Sequence, residues 1–171
     1  MYAIAANTWI WQSPLTDDSL DGLLDKIAEM GFDAVELPLE TTRDFGVDHA
    51  RQALDRTGLR AVTVGVMPDD RNLVATDAET VLRTQRYLIE GIDIAATLGS
   101  TTLCGPFYAS VGRAWALSEA ERERAYDDLR ENLAPVVEHA QRSGVAIGIE
   151  TLNRYETSVL NTVDQALEAL A

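Results

Sequence analysis

The sequence predicts an α/β fold in which parallel strands alternate with covering helices, and three observations support this prediction. Four helix-period segments each end at a glycine that is followed at once by a short apolar strand. These segments carry apolar residues on one face, as helices do when they pack on a sheet. The first strand is not followed by the Gly-rich turn of a dinucleotide-binding sheet. Together these observations favour a (β/α)8 barrel, of which the chain contains about five units.

Four glycines mark the predicted helix ends, because glycine adopts the left-handed conformation that ends a helix without a Cβ clash. They are Gly31, Gly58, Gly99 and Gly144. The predicted strands that follow them cover residues 32–37, 59–64, 100–104 and 145–150, and residues 2–6 form the predicted first strand.

Start signals agree with these helix ends. The first helix is predicted to begin near Asp17, and Thr76 with Glu79 and Ser118 with Glu121 each fit a capping box. The predicted core faces of the first, third and fourth helices are Leu20, Leu23, Leu24, Ile27 and Ala28; Val81, Leu82, Leu88, Ile89, Ile92 and Ala95; and Leu129, Leu133, Val136, Val137 and Ala140.

Loop sequence and chain length separate two parallel architectures, the closed barrel and the open doubly wound sheet. Residues 7–14 after the first strand contain no Gly-rich turn. Five strand–helix units in 171 residues average about 34 residues, so eight would need roughly 270, within the barrel range of about 200 to 400. The sequence therefore predicts a single domain, residues 1–171, that is a partial TIM barrel with strands 1 to 5 and without strands 6 to 8.

Composition limits the partners and the location. The content of 46% hydrophobic and 25% charged residues fits a globular domain, and the net charge of -14 disfavours nucleic acid and anionic membrane surfaces. No apolar run reaches the roughly 20 residues that span a bilayer. The single Cys104 excludes an intrachain disulfide, and no secretion signal precedes the first strand. We expect a cytoplasmic protein.

A carboxylate motif follows the predicted fifth strand. Glu150 ends this strand and Glu156 lies six residues later. The carboxyl ends of the strands are where TIM-barrel enzymes have their active sites. Residues 149–157, followed by residues 159–162, resemble the fifth-strand motif of the D-tagatose, D-allulose (D-psicose) and L-ribulose 3-epimerases, the ketose 3-epimerases of the xylose-isomerase-like superfamily. The other segments that resemble the family are Gly31-Phe32-Asp33 with Glu36, Asn72-Leu73 with Asp77, and Cys104-Gly105-Pro106 with Tyr108-Ala109.

The resemblance implies a catalytic role for Glu150. It would bind a divalent metal, typically Mn²⁺, Co²⁺ or Mg²⁺, and would be one of two carboxylates that exchange a proton with C3 of a free ketose. Glu156 would hydrogen-bond the sugar. The metal would bind the C2 carbonyl and the C3 hydroxyl and so stabilise the enediolate. The implied partner is a small-molecule ketose.

Other residues are weaker site candidates, each with a structural alternative. Glu36 ends the predicted second strand and could support Glu150 indirectly or make a structural hydrogen bond. Trp9 and Trp11 could form an aromatic wall for a sugar, or pack at the rim. Gly105 and Tyr108 follow the fourth strand, and for Tyr108 the favoured alternative is packing in the core or in the loop. Glu156 itself could pair with Arg154, and Cys104 is expected in the core.

The rest of the family's metal site is not predicted within this chain. Its aspartate, histidine and second glutamate come from strands 6 to 8, and His49 and His139 both lie in helical segments. One carboxylate is a poor divalent-metal site, and one base cannot serve both faces of C3. We therefore expect the 171-residue chain alone to be inactive.

Exposed strand edges add an expectation of self-association. A barrel cut after five strands leaves the edges of the first and fifth strands unpaired, and such edges invite pairing. Residues 167–171 end within a helical pattern, which favours a fragment of a longer protein.

Two alternative functions remain. One is another enzyme of the superfamily, such as a hydroxypyruvate isomerase or an inosose dehydratase, and the other is a non-catalytic half-barrel that acts as an assembly module.

Overall fold

The computed structural model describes residues 3–112 and 114–171 and contains a five-stranded sheet whose strands lie in chain order. Each strand pairs in parallel with the next. The strands are β1 (Ala5–Asn7), β2 (Ala34–Leu39), β3 (Arg60–Gly65), β4 (Thr102–Gly105) and β5 (Ala146–Ile149). The helices are α1 (Asp17–Glu29), α2 (Val47–Thr57), α3 (Ala78–Leu98), α4 (Glu119–Ser143) and α5 (Val163–Ala169). This order confirms the predicted partial barrel.

Three of the four predicted helix ends are confirmed at the glycine itself, whereas the C-cap of α1 is Met30, one residue before Gly31. Gly58, Gly99 and Gly144 are the C-caps of α2, α3 and α4, and all three have left-handed backbone angles. α1 begins at Asp17 as predicted, and Ser118 and Glu121 form the predicted capping box of α4. Helix boundaries could therefore be read from cap residues.

Two predictions for α3 are wrong. Its N-cap is Asp77 and not Thr76, because the Asp77 carboxylate accepts hydrogen bonds from both the backbone N–H and the hydroxyl of Thr80, each at 2.9 Å. Leu82 is exposed, because the inward face of α3 at this point is occupied by Thr84, whose hydroxyl accepts a hydrogen bond from Asn72 N. The buried stripe consists mainly of Tyr87, Leu88, Ile92, Ala95 and Leu98.

Strand boundaries differ from the prediction at β1 and β2. Tyr2 lies outside the described residues, and β1 begins only at Ala5, because Ile4 donates its N–H to the Asp33 carboxylate at 2.9 Å. β2 continues to Leu39 by pairing with β3 as far as Gly65. Glu36 therefore lies within β2 and not at its end.

The core lies between the sheet and the helices. Val35, Leu37 and Leu39 alternate along β2 and are fully buried against the helical layer. In β4, Leu103 lies within contact distance of the position that a Cβ of Gly91 in α3 would occupy. Side chains of the opposite parity, Glu36 among them, face the barrel interior. Because all strands are parallel, their carboxyl ends meet at one edge of this interior.

The helices of the described residues are amphipathic covers of the sheet. None of them combines the length and the apolar character required to cross a bilayer.

The carboxyl ends of β3 and β4 approach closely at Gly65 and Gly105. Gly105 has a φ of 155°, and a Cβ on it would collide with the carbonyl oxygen of Gly65 and the ring of Phe107. We expect Gly105→Ala to lower the free energy of unfolding by about 2 to 3 kcal/mol, measured by urea denaturation.

The control for this substitution is Gly22→Ala in α1. A Cβ at Gly22 meets nothing within 4 Å. Alanine is the better helix former, so this variant should gain about 0.5 to 1 kcal/mol. A Gly105→Ala variant as stable as the parent would contradict the close approach of the strands.

Candidate functional site

An open cavity of about 410 Å³ lies at the carboxyl ends of the strands. Three carboxylates line it, those of Glu40, Glu150 and Glu156, and Trp9 contributes an aromatic side chain. Most of the remaining lining is apolar or backbone, including Met67 and Leu152. No Lys, Arg or His lines the cavity within the described part of the chain. The cavity is therefore acidic.

Glu150 is the first residue after β5, and the neighbouring strand fixes its backbone. Its N–H donates to the carbonyl of Gly105 at 2.9 Å. Gly105 thus acts through its backbone, because it lacks a side chain that could face a ligand. Partial burial, followed by the charges of Glu36 and Glu156, raises the pKa of Glu150 above its ordinary value. Glu36, Glu150 and Glu156 therefore form one electrostatic cluster.

Glu36 supports this cluster from inside the barrel. Its Oε2 accepts a hydrogen bond from Asn7 Nδ2 at 2.8 Å, which joins β1 to β2. Glu36 was predicted at the end of a strand, and the longer β2 corrects this placement. Burial, together with the charges of Glu36 and Glu150, raises the pKa of the half-buried Cys104 thiol. This thiol is therefore a poor nucleophile.

Glu156 lines the cavity from the loop that follows β5. Its Oε2 accepts a short hydrogen bond from Asn153 Nδ2, and its backbone carbonyl accepts from Gly112 N at 2.8 Å. The alternative partner, Arg154, instead bonds the Tyr155 hydroxyl at 3.3 Å. No ion pair between Arg154 and Glu156 is formed in the described structure. The placement leaves Glu156 available to a ligand.

The two tryptophans have different positions. Trp9 lines the cavity, is 43% exposed, and donates its indole N–H to Glu40 Oε1 at 2.9 Å. Trp11 packs against the core, with Lys26 Nζ 5.1 Å from its ring centroid. Of the two tryptophans, only Trp9 is therefore placed to form the predicted aromatic wall.

Tyr108 was a predicted sugar contact, and its position in the structure does not match that role. It is fully buried in the core, and its hydroxyl donates to the Leu160 carbonyl at 3.4 Å. Burial also raises its pKa. Tyr108 N donates to Pro106 O at 2.7 Å, a tight turn that accompanies the burial of the Tyr108 side chain.

Glu40 is a cavity residue that the sequence prediction missed. It follows Leu39, the true end of β2, and its Oε1 accepts from Trp9 Nε1 and from Ser13 Oγ, the latter at 2.5 Å. The missed signal was the apolar continuation Leu37-Pro38-Leu39, which carries the strand two residues beyond its predicted end.

The histidines serve the helical layer, as predicted. His49 in α2 bonds Asp17 and Asp21 of α1, and His139 in α4 bonds Asp93 of α3. Residues 3–112 and 114–171 contain no group of three or more His, Cys, Asp or Glu side chains arranged to hold a metal ion. Glu150 offers one hard oxygen ligand, so these residues do not complete a divalent-metal site by themselves.

The sequence of the chain matches a known family. The family model described as xylose isomerase-like TIM barrel matches residues 24–171. The chain belongs to this family.

Similar proteins carry epimerase names. A ketose 3-epimerase of Arthrobacter globiformis is 29% identical over 167 residues, which are 98% of this chain and 57% of the relative. An L-ribulose 3-epimerase of Mesorhizobium japonicum is 26% identical over 168 residues, 98% of this chain and 55% of the relative. The chain therefore spans little more than half the length of these relatives.

Solved structures show the same fold. A D-allulose 3-epimerase of Methylomonas sp. superposes with a TM-score of 0.87 at 24% identity and covers 98% of this chain and 58% of its own. An L-ribulose 3-epimerase gives 0.87 at 24% identity and covers 99% and 56%. These likenesses support the partial barrel.

Replacing Glu36 with Gln tests the carboxylate cluster. Gln keeps an oxygen that accepts the Asn7 amide and removes the charge that opposes ionisation of Glu150. We expect the pKa of Glu150 to fall toward its ordinary value, measured by a ¹³C-carboxylate NMR titration.

Glu90→Gln is the control, since Glu90 lies on α3, where it accepts a hydrogen bond from Thr42. It should leave the pKa of Glu150 unchanged. An equal Glu150 pKa in the parent and in Glu36→Gln would show that the two carboxylates do not interact.

Proposed function

We propose that this chain supplies strands 1 to 5 of a ketose 3-epimerase, an isomerase that inverts C3 of a free ketose. The observation that carries the proposal is the position of Glu150, directly after β5 in an acidic cavity, with a raised pKa. The epimerase names of the similar proteins support the same activity.

Glu150 is the proposed acid and base. Its carboxylate would take the proton from C3, and the electrons of the broken C–H bond would form the C2–C3 double bond of an enediolate. A raised pKa suits this role, because the carboxylate must hold the proton that it removes. Inversion also requires an acid on the opposite face of C3, and we propose that this acid comes from outside the five strands described here.

A divalent metal, Mn²⁺, Co²⁺ or Mg²⁺, is proposed as the cofactor of the whole protein, where it would stabilise negative charge on the enediolate oxygens. Glu150 is its proposed ligand from this chain. The described residues form no metal site alone. The proposed contribution of this chain to proton transfer is therefore the Glu150 carboxylate.

Several neighbours have proposed supporting roles. Glu156 and Trp9 line the cavity and would contact the sugar by hydrogen bonding and by ring packing. Gly105 holds the Glu150 backbone, and Glu36 raises the Glu150 pKa. The absence of a basic side chain from the described lining favours an unphosphorylated sugar, since a phosphate there would be repelled by three carboxylates and paired with no cation.

The proposal is tested by assaying interconversion of D-fructose and D-allulose. We expect no turnover by the 171-residue chain and turnover by the product of its complete reading frame, if strands 6 to 8 there supply an aspartate, a histidine and a glutamate. In that longer protein Glu150→Gln should lower kcat by about 10² to 10⁴.

Glu90→Gln serves as the matched control and should retain full kcat. Turnover by the 171-residue chain alone would overturn the division of the site between two parts of a barrel. Activity on hydroxypyruvate or an inosose, without activity on ketoses, would favour a different enzyme of the family.

The edge of β5 supports a second proposal, an assembly role through a further copy of the chain. An apolar groove lies beside this strand, lined by residues that include Val137, Ile147, Ile149 and Leu170. α5 also exposes Val163 and Leu167. An unpaired strand edge next to apolar surface favours strand pairing between copies.

Light scattering at low micromolar concentration measures this association. We expect a dimer or larger species that Leu170→Glu dissociates, because the new charge would be buried in the groove. Leu82→Glu is the control, since Leu82 is similarly exposed but lies on α3. A parent chain that remains monomeric would overturn the assembly role.

A further inference from the structure

We propose that Glu40 is a substrate-binding residue that selects for the neutral, hydroxyl-bearing end of the sugar and against an anionic end. This inference rests on the proposed function, because it places a ketose in the same cavity. Its structural basis is a carboxylate fixed directly after β2 that lines the same cavity as Glu150.

Two hydrogen bonds orient the Glu40 carboxylate. Trp9 Nε1 and Ser13 Oγ both donate to its Oε1, at 2.9 and 2.5 Å. Its Oε2 has no hydrogen-bond donor among the residues that the structure describes. Glu40 therefore keeps an acceptor oxygen for a ligand hydroxyl, and its rotamer is already set.

The backbone of Glu40 is held as firmly as its side chain. The guanidinium of the nearly buried Arg71 donates to the carbonyls of Glu40 and Val66, each at 2.8 Å. Arg71 also stacks 3.5 Å from the ring centroid of Tyr87, whose hydroxyl donates to Leu39 O at 2.6 Å and accepts from Val66 N at 2.8 Å. The ends of β2 and β3 are therefore fixed to each other.

Arg71 bonds the Glu40 backbone and makes no ion pair with its carboxylate within the described structure. The negative charge of Glu40 is therefore left for the cavity. A carboxylate accepts hydroxyl hydrogen bonds strongly and repels phosphate or carboxylate groups.

We place the C4 to C6 arm of the sugar, rather than its C1 end, on the side of the cavity where Glu40 lies. β2 and β5 are separated by three strand spacings, about 14 Å along the sheet. With C3 at Glu150, the longer arm of the ketose, C4 to C6, would extend toward Glu40, and the side chains of Glu40 and Glu150 would span the remaining distance. The Trp9 ring, which is held by the same carboxylate, lies in this wall and can pack on the apolar face of that arm.

The test compares D-fructose with D-fructose 6-phosphate as ligands of the 171-residue chain, followed through the NMR signal of the Trp9 indole N–H. In Glu40→Gln we expect D-fructose to bind about fivefold more weakly and the phosphate about fivefold more tightly. The preference for the neutral sugar, which is the ratio of the two affinities, should therefore fall by about 25-fold.

Two controls separate selection from structural support. Ser13→Ala removes one bond to Glu40 Oε1 and keeps the charge, so it should retain the preference for D-fructose. Glu90→Gln removes a carboxylate that lies on α3 and should change neither affinity. Amide spectra of each variant establish that the fold is intact.

The outcomes distinguish this inference from the proposed function. If Glu40→Gln leaves the preference unchanged, or weakens both ligands equally, Glu40 has only a structural role and the inference fails. D-fructose binding that Glu150→Gln weakens and Glu40→Gln does not would leave the proposed function standing. If the parent chain binds no ketose in this cavity, the inference about Glu40 fails, whereas the proposed function is decided separately by the turnover assay of the longer protein.

Discussion

The close approach of β3 and β4 at Gly65 and Gly105 is the constraint on which the cavity depends. No side chain separates these strand ends, so the Phe107 ring can occupy the space beside them. The Gly105 carbonyl accepts a hydrogen bond from the N–H of Glu150, so the pairing of β4 with β5 extends to the residue after β5. A backbone contact without any functional group thereby sets the position of the proposed catalytic carboxylate.

The general architecture could be predicted from the sequence because its signals are local. Glycine caps, capping boxes such as that of Ser118, and apolar helix faces each depend on a few neighbouring residues. Together they gave the strand order and placed Glu150 at a strand end. The histidines were also correctly assigned to helices, since their segments have helical periodicity.

The errors concern features that depend on contacts between distant segments. β2 continues past Leu37 because it pairs with β3, which a single segment does not reveal, and Glu40 was missed for this reason. Tyr108 lies in the core, and a tight turn at Pro106 accompanies its burial. Which of the two tryptophans lines the cavity depends on the hydrogen bond between Trp9 and Glu40, two residues that are 31 positions apart.

The hydrogen bonds from Arg71 to the carbonyls of Glu40 and Val66 hold one wall of the cavity more firmly than the other. The wall formed by β2 and β3 is fixed by partly buried hydrogen bonds from Arg71. Burial raises the pKa of the Tyr87 hydroxyl in this wall to about 12, so this group stays neutral. The β5 wall ends at an apolar groove and a strand edge without a partner in the described residues. Ligand binding would therefore cost little conformational entropy in the wall formed by β2 and β3. Most of the ordering of the protein on binding would occur in the β5 wall.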